Sequence, residues 1–193
     1  RDCLLSRGLG DVYKRQRKSP DIAVVTNLAP NHLDIHKDMQ EYIDAKKNIV
    51  LHQNAFSRTV LNLDNEISNS FSEYVRGTLY KFSRRNSVKS GAYMKPDGEI
   101  VMSINGEETH IMKAEEIKIP GLHNIENYLA AISAVWGLVD VETIRKVAME
   151  FAGVEHRAEL VRELDGVRWY NDAIGTSPTR TVKGCLLYTS PSP

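Results

Sequence analysis

The sequence has almost no cysteine and no long apolar run. Its 193 residues include two cysteines, Cys3 and Cys185, one near each end. Because the stretch between them has none, a disulfide framework and a cysteine-based zinc site are excluded there. No segment approaches the roughly 20 apolar residues that a membrane-spanning helix needs. We therefore expect no membrane partner.

The sequence also lacks an excess of either charge. Its 25 Lys and Arg residues balance 25 Asp and Glu residues, so the electrostatic footprint of a general nucleic-acid binder is missing. Hydrophobic residues make up 41% of the chain and charged residues 26%, as is usual for globular proteins. This length predicts one domain, or one domain and part of a second.

The two ends of the chain are related through the genetic code. Residues 6–16 (SRGLGDVYKRQ) can be back-translated into DNA whose opposite strand, shifted by one base, encodes residues 185–193 (CLLYTSPSP) without a mismatch. The shared element resembles an adaptor used in preparing DNA-sequencing libraries. We therefore expect residues 1–16 and 185–193 not to belong to the fold, and to pack outside the core.

The first half of the chain alternates between strand and helix patterns. Buried strands are predicted at 21–27, 59–63 and 78–82, and helices at 39–50, with Asp38 as N-cap, and at 67–75. This alternation is typical of an α/β domain with a parallel sheet.

The second half begins with a different pattern. Short strands are predicted at 92–94, 99–104 and 109–112, separated by the turn sequences Pro96-Asp97-Gly98 and Asn105-Gly106, which indicates an inserted antiparallel meander. Helices are predicted at 121–139 and 141–152, with Gly153 as C-cap. A hairpin is predicted from 158–164 and 167–170. We place a domain boundary near 153–156.

A polar cluster follows the first strand. His32, Asp34 and His36 lie at its carboxyl end, where ligands of open α/β sheets bind. Histidine and aspartate can bind a metal or act as general base. The alternative is a polar loop with a helix cap, because the spacing matches no established zinc pattern.

Lys46 lies on the apolar face of the next helix. Lysine is rarely buried without a partner, and burial lowers its pKa, so its amine can become nucleophilic, including toward carbon dioxide. The resulting carbamate would offer hard oxygen ligands for Mg²⁺. The alternative is a lysine that packs its stem and extends its ammonium into water.

Asn124 and Asn127 are three residues apart at a helix start and share a face. Their amides can recognise a nucleobase edge, and a helix N-terminus favours anions. The alternative is that Asn124 only caps the helix. Further along, Arg157 could bind a phosphate and Asp172 a ribose hydroxyl or a metal, although a simple turn also explains the Asn171-Asp172 pair.

In this order, six stretches resemble motifs of the Mur ligase family: TNLAPNHLDIH, EYIDAKKNI, VLNLDNE, GLHNIENYLAA, EHRAELV and WYNDAIGTSPTRT. They cover most of residues 20–184. The resemblance implies a partial ATP-binding central domain at 17–153, with a parallel sheet and an antiparallel β insertion. It also implies that 154–184 begin a Rossmann-like C-terminal domain that binds the amino acid.

The resemblance implies an ATP-dependent amide-bond ligase of peptidoglycan synthesis, acting in the cytoplasm as a monomer. In the family, the substrate carboxylate attacks ATP to give an acyl phosphate, which the incoming amine then displaces. The HRAE sequence favours the member that joins D-glutamate to UDP-N-acetylmuramoyl-L-alanine. A sister ligase, folylpolyglutamate synthase and a noncatalytic nucleotide-binding module are the alternatives.

By position, the resemblance assigns roles to six residues. His32 matches a metal-binding histidine, and Lys46 matches a lysine that is carbamylated and helps to hold Mg²⁺; both are candidate catalytic residues. Asn124 and Asn127 match asparagines beside the adenine, Arg157 a phosphate contact and Asp172 a nucleotide contact between domains.

The sequence departs from the family in two places. A G-x-x-G-K-[ST]-type phosphate loop is missing, and we expect the chain alone to bind ATP weakly and to lack ligase activity. A Ser-Lys pair that follows the Asn-Asp pair in some members is replaced by Ala173-Ile174, so that lysine's role does not transfer.

Overall fold

The computed structural model describes residues 19–28, 38–156, 159–171 and 173. The strands are β1 (Ile22–Val25), β2 (Arg58–Asn62), β3 (Thr78–Phe82), β4 (Gly91–Met94), β5 (Glu99–Ile104), β6 (Glu107–Lys113), β7 (Glu159–Leu164) and β8 (Val167–Asn171). The helices are α1 (Met39–Leu51), α2 (Glu66–Ser70), α3 (Leu122–Val135) and α4 (Val141–Glu150). Single 3₁₀ turns follow α2 and β6, at Phe71–Tyr74 and Ala114–Glu116.

Strands β1, β2 and β3 form the parallel sheet that the sequence predicts. They pair in chain order, with Val24 opposite Val60 and Val60 opposite Tyr80. The alternating strands and helices therefore form an α/β unit, and all three strands end at one edge of the sheet.

Both faces of this sheet are covered, which explains the continuous apolar run of β1 and the apolar centre of β2. Ala23, Val25 and Leu61 face a core cluster that includes Tyr42 of α1 and the fully buried Phe71. The intervening strand residues, such as Val60, point to the opposite face of the sheet, where they pack in a second core cluster against α3. The largest fully buried members of this cluster include Phe82, Ile100, Met102, Leu129 and Ile132.

The antiparallel meander β4–β5–β6 forms as predicted and continues the parallel sheet. Its first strand runs alongside β3, because the Lys81 N–H donates to the Ser90 carbonyl at 2.9 Å and the Ser83 N–H donates to the Ala92 carbonyl at 3.2 Å. Gly91 makes this close approach feasible. Its φ is +132°, and a Cβ at this position would lie 1.8 Å from the Lys81 carbonyl oxygen.

The helix ends show where local sequence signals are sufficient and where they are not. Asp38 caps α1 as predicted, accepting a hydrogen bond from the Glu41 N–H at 2.8 Å. Helix α3 ends at Val135, four residues before its predicted end, because Trp136 is extended (ψ 127°) and Gly137 has φ +76°. Helix α4 ends at Glu150 with Phe151 as its C-cap, so the prediction that Gly153 is the C-cap is wrong.

Helix α3 crosses the sheet and contacts strands β1 to β5. The buried Ser133 hydroxyl joins it to β4, accepting from the Ala92 N–H at 3.0 Å. Strands β7 and β8 form the predicted hairpin, with Leu164 paired to Val167 around the Asp165-Gly166 turn. None of the helices in the described ranges is long and apolar enough to span a membrane.

Candidate functional site at the carboxyl edge of the sheet

The loops that follow β1 and β2 are joined by asparagine side chains. The Asn62 amide donates to the Asn27 side-chain oxygen at 3.1 Å. The Asn65 amide donates to the Leu28 carbonyl at 3.1 Å, and its oxygen accepts from the Leu28 N–H at 3.4 Å. An asparagine can donate and accept at once, which allows one residue to satisfy the backbone of a neighbouring loop. The carboxyl end of β1 is therefore fixed before the chain enters the segment that contains His32.

Ser68 ties the start of α2 to the same edge. Its buried hydroxyl donates to the Val25 carbonyl at 2.9 Å and accepts from the Asn62 N–H at 3.1 Å. These contacts satisfy backbone groups at the point where two strands separate.

Asp64 links the turn after β2 to the turn after β3. Its carboxylate accepts from the Ser83 hydroxyl at 2.7 Å, the Arg84 N–H at 2.8 Å and the Asn86 amide at 3.1 Å. A carboxylate that accepts several hydrogen bonds is a strong organising centre for a loop. The turn after β3 is thus built around a single side chain of the turn after β2.

An ion pair connects this turn to α3. The Arg84 Nε donates to the Glu126 carboxylate at 3.1 Å, and the two side chains are 18% and 22% exposed. Glu126 lies in the second turn of α3, which places the N-terminal end of this helix at the carboxyl edge of the sheet. The backbone N–H groups of a helix N-terminus attract anions, so the edge is suited to an anionic ligand.

The two predicted asparagines lie on these first turns of α3. The Asn124 amide donates to the Pro120 carbonyl at 2.6 Å, and the exposed Asn127 amide donates to the Asn124 side-chain oxygen at 3.4 Å. The N-cap is Gly121, with φ +109° and no side chain, so the interpretation of Asn124 as N-cap is wrong. The structure brings the two amides together beside the helix start.

Lys46 lies on α1, across the sheet from α3. Its side chain is half-buried, and its ammonium lies 5.6 Å from the centroid of the Tyr42 ring. The adjacent Lys47 is in a different situation, since its ammonium is 3.0 Å from the Asp44 carboxylate and 4.7 Å from the Tyr74 ring centroid. The hydrogen bond to Asp44 raises the pKa of Lys47, which keeps that amine protonated.

The remaining predicted residues, His32, Arg157 and Asp172, lie outside the described residues, as do residues 1–16 and 185–193. The described ranges contain no group of three or more His, Cys, Asp or Glu side chains that could hold a metal ion. Among these residues, Lys46 would ligate a metal only as a carbamate, because an ammonium has no lone pair to donate, and carbamate oxygens would suit Mg²⁺.

The local sequence predicts Asp64 and Asn65 as a turn or cap after the second buried strand, but it predicts no role for Ser68, Arg84 or Glu126. Nothing local marked Arg84 and Glu126, which are 42 residues apart.

Comparisons with known proteins agree with this architecture. A family model described as the Mur ligase middle domain matches residues 5–135. A relative from Acetivibrio thermocellus, named UDP-N-acetylmuramoylalanine--D-glutamate ligase, is 54% identical over 168 residues, covering 86% of this chain and 36% of the relative. A relative of the same name from Clostridium acetobutylicum is 53% identical over 174 residues, covering 90% of this chain and 37% of the relative.

Solved structures share the fold at lower identity. MurF from Acinetobacter baumannii aligns with a TM-score of 0.70 at 15% identity, over 94% of this chain and 40% of that one. MurF ligase from Thermotoga maritima, solved in complex with ADP, aligns with a TM-score of 0.63 at 16% identity, over 89% of this chain and 40% of that one. The chain spans little more than a third of the length of the curated relatives that it matches.

Proposed function

Because the chain belongs to the Mur ligase family through its middle domain, we propose that a full-length protein containing it is an ATP-dependent ligase. The proposed reaction joins D-glutamate to UDP-N-acetylmuramoyl-L-alanine in peptidoglycan synthesis. The observation that carries this proposal is the identity of 54% over 168 residues to a relative that bears that name. We further propose that the ligase acts in the cytoplasm as a monomer, without a nucleic-acid or membrane partner.

The proposed reaction has two steps. The carboxylate of UDP-N-acetylmuramoyl-L-alanine attacks the γ-phosphorus of ATP, which gives an acyl phosphate and releases ADP. The amine of D-glutamate then attacks the acyl carbon, the amide bond forms, and inorganic phosphate leaves. The first step brings an anion to a polyanion, so catalysis requires positioning and charge neutralisation.

The edge described above supports this chemistry. The N-terminus of α3 lies there, and the amides of Asn124 and Asn127 would face the adenine beside it. Arg157 would contact a phosphate and Asp172 the nucleotide from the second domain, so that ATP would join the two domains and favour their closure.

His32 and the carbamate of Lys46 would hold Mg²⁺. When bound, this ion lowers the repulsion between the substrate carboxylate and the triphosphate. The role of Lys46 on α1 is then to supply oxygen ligands through the carbamate that its amine would form with carbon dioxide.

The test is phosphate release by the full-length protein with Mg·ATP, UDP-N-acetylmuramoyl-L-alanine and one amino acid at a time. We expect turnover with D-glutamate and background rates with L-glutamate, L-alanine and L-lysine. Turnover with another amino acid would identify a sister ligase, and no turnover with any acceptor would favour a noncatalytic nucleotide-binding module.

Two neighbouring lysines provide a matched test of the metal-ligand role. Lys46→Ala should lower the rate at least about a hundredfold, since the proposed Mg²⁺ ligand is lost. Lys47→Ala should leave the rate within about twofold, because Lys47 only pairs with Asp44 and Tyr74 on the helix surface. Equal rates for the wild type and Lys46→Ala at saturating Mg²⁺ would contradict the role proposed for Lys46.

The 193-residue chain gives an independent check. It lacks the phosphate loop, so calorimetric titration should show at most weak Mg·ATP binding, and no D-glutamate adduct should form. Tight binding would mean that the described edge is sufficient for the nucleotide.

A further inference from the structure

Among the ion pairs of the described residues, Arg84 and Glu126 form the one in which both side chains are less than a quarter exposed, followed by Lys95 and Glu99 at 30% and 27%. The exposures of Arg84 and Glu126 are 18% and 22%, whereas Arg145 and Glu116, which join α4 to the turn after β6, are 41% and 26% exposed and 3.4 Å apart. Burying two charges is costly, and a pair of this kind adds little net stability. Its value therefore lies in the geometry and the charge that it fixes.

One end of the pair is anchored to the sheet. The Asp64 carboxylate holds the Arg84 N–H at 2.8 Å and the Ser83 hydroxyl at 2.7 Å. The backbone from which the Arg84 side chain extends is therefore tied to the turn after β2. A continuous set of contacts runs from the ends of β2 and β3, through Arg84, to the start of α3.

The other end of the pair lies on the same helix turns as the two asparagines of the proposed nucleotide site. Glu126 is two residues after Asn124 and one before Asn127, so it projects from a different side of α3 than the face that they share. The N-cap Gly121 has no side chain that could fix the start of the helix. Without Arg84, a partly buried carboxylate would be left unpaired in the second turn of α3, close to the helix N-terminus that would attract the anionic nucleotide. Like-charge repulsion would then oppose nucleotide binding.

From these contacts we infer that Arg84 is a positioning residue of the nucleotide site, acting through Glu126. This inference rests on the proposed function. Arg84 fixes the first turns of α3 against the carboxyl edge and neutralises the Glu126 carboxylate, so that Asn124 and Asn127 are presented to the nucleotide in one orientation. Of its guanidinium N–H groups, only the Nε–H has a partner within the described part of the chain.

The test measures the Kd of Mg·ADP by calorimetry and the KM values of the full-length ligase. Arg84→Ala should raise the Kd of Mg·ADP and the KM of ATP about tenfold, while the KM of D-glutamate stays within twofold. Arg84→Lys, which keeps the charge but loses the planar fork, should recover part of the loss. Arg145→Ala removes the comparison pair and should leave both nucleotide constants unchanged.

A double-mutant cycle shows whether the effect passes through Glu126. Removing the carboxylate in Arg84→Ala/Glu126→Ala should bring the KM of ATP closer to the wild-type value than Arg84→Ala alone, because no unpaired charge remains. A double variant whose effect equals the sum of the single effects would overturn the inference. So would an Arg84→Ala enzyme whose nucleotide constants stay within twofold of the wild type.

The two proposals fail in different ways. A wild-type protein that binds Mg·ADP but ligates no amino acid contradicts the proposed function, and the Kd series still tests Arg84. If Arg84→Ala does not fold, Arg84→Lys and Glu126→Gln keep the side-chain size. The inference then requires a raised Kd of Mg·ADP in Arg84→Lys, and an unchanged Kd overturns it.

Discussion

The guanidinium of Arg58 donates to the main-chain carbonyl of Ala134 at 2.6 Å, across 76 residues of sequence. Arg58 is the first residue of β2, and Ala134 lies in the last turn of α3, where backbone carbonyls lack partners within the helix. The same guanidinium lies 5.2 Å from the centroid of the Tyr80 ring. A different arginine therefore contacts each end of α3: Arg58 at the C-terminal end and Arg84 at the N-terminal end.

This contact predicts a cost in stability when Arg58 is replaced. Arg58→Met keeps the apolar stem but leaves a helix carbonyl without its charged donor, so the free energy of unfolding should fall by about 1–3 kcal/mol. The midpoint of urea unfolding measures the change. Arg76→Ala, which removes an exposed arginine, should shift the midpoint very little. Equal midpoints for Arg58→Met and the wild type would contradict the capping role.

Gly91 is predicted to be the least replaceable glycine of the meander. In Gly91→Ala the new Cβ would lie 1.8 Å from the Lys81 carbonyl oxygen, in a backbone conformation with φ +132°. We expect a loss of about 3 kcal/mol or more, because β4 must move away from β3. Gly98→Ala is the control: its φ is +84° with open space around the Cβ, so the loss should be about 1 kcal/mol. Thermal unfolding of both variants gives the comparison.

We expect that replacing Tyr128 by phenylalanine does not destabilise the folded protein. Its hydroxyl is buried and has no hydrogen-bond partner within the described ranges, and burial raises its pKa. Tyr128→Phe removes an unsatisfied polar group, so stability should stay the same or rise by up to about 1 kcal/mol. Tyr93→Phe should have the opposite effect, because the Tyr93 hydroxyl donates to Glu108. A clear loss of stability in Tyr128→Phe would show that its hydroxyl has a partner in solution.

A network of charged side chains on the meander predicts how the stability of the protein depends on pH. The Lys95 ammonium lies 2.8 Å from both the Glu99 and the Glu108 carboxylates, Tyr93 also donates to Glu108, and His110 lies 2.7 Å from Glu99. The hydrogen bonds from Lys95, and then from His110 or Tyr93, lower the pKa of each carboxyl. The two carboxylates raise the pKa of Lys95.

The directions of these pKa shifts determine the pH range in which the network stabilises the folded protein. Carboxyls with a lowered folded pKa stabilise the protein above their ordinary value of 4.5, and this contribution is lost as the pH falls through the folded pKa. Lys95 contributes below its ordinary 10.5, and its contribution is lost as the pH rises through its raised folded pKa. Lys95→Met should therefore lower the urea midpoint between about pH 5 and pH 10, with a difference that shrinks below pH 4.5. Lys113→Met, which removes an exposed lysine 3.9 Å from Glu115, should show no such pH-dependent difference.

Local sequence patterns determined most of the secondary structure and the family of this protein. The buried strands, the Asp38 cap and the hairpin turns all follow from hydrophobic period and turn chemistry within a few residues. The ordered motifs were sufficient to indicate the Mur ligase family. The predicted shared face of Asn124 and Asn127 is present in the structure, because three residues is nearly one helical turn.

Only the tertiary structure determined which side chains connect the ends of the strands to one another and to α3. Asp64 meets Ser83, Arg84 meets Glu126 and Arg58 meets the carbonyl of Ala134 only because three strands lie side by side and α3 crosses them. A polar side chain carries no local sign of its distant partner, because any nearby donor or acceptor would satisfy it equally well. The partner is chosen by the packing of the apolar core, which brings segments together from across the whole chain.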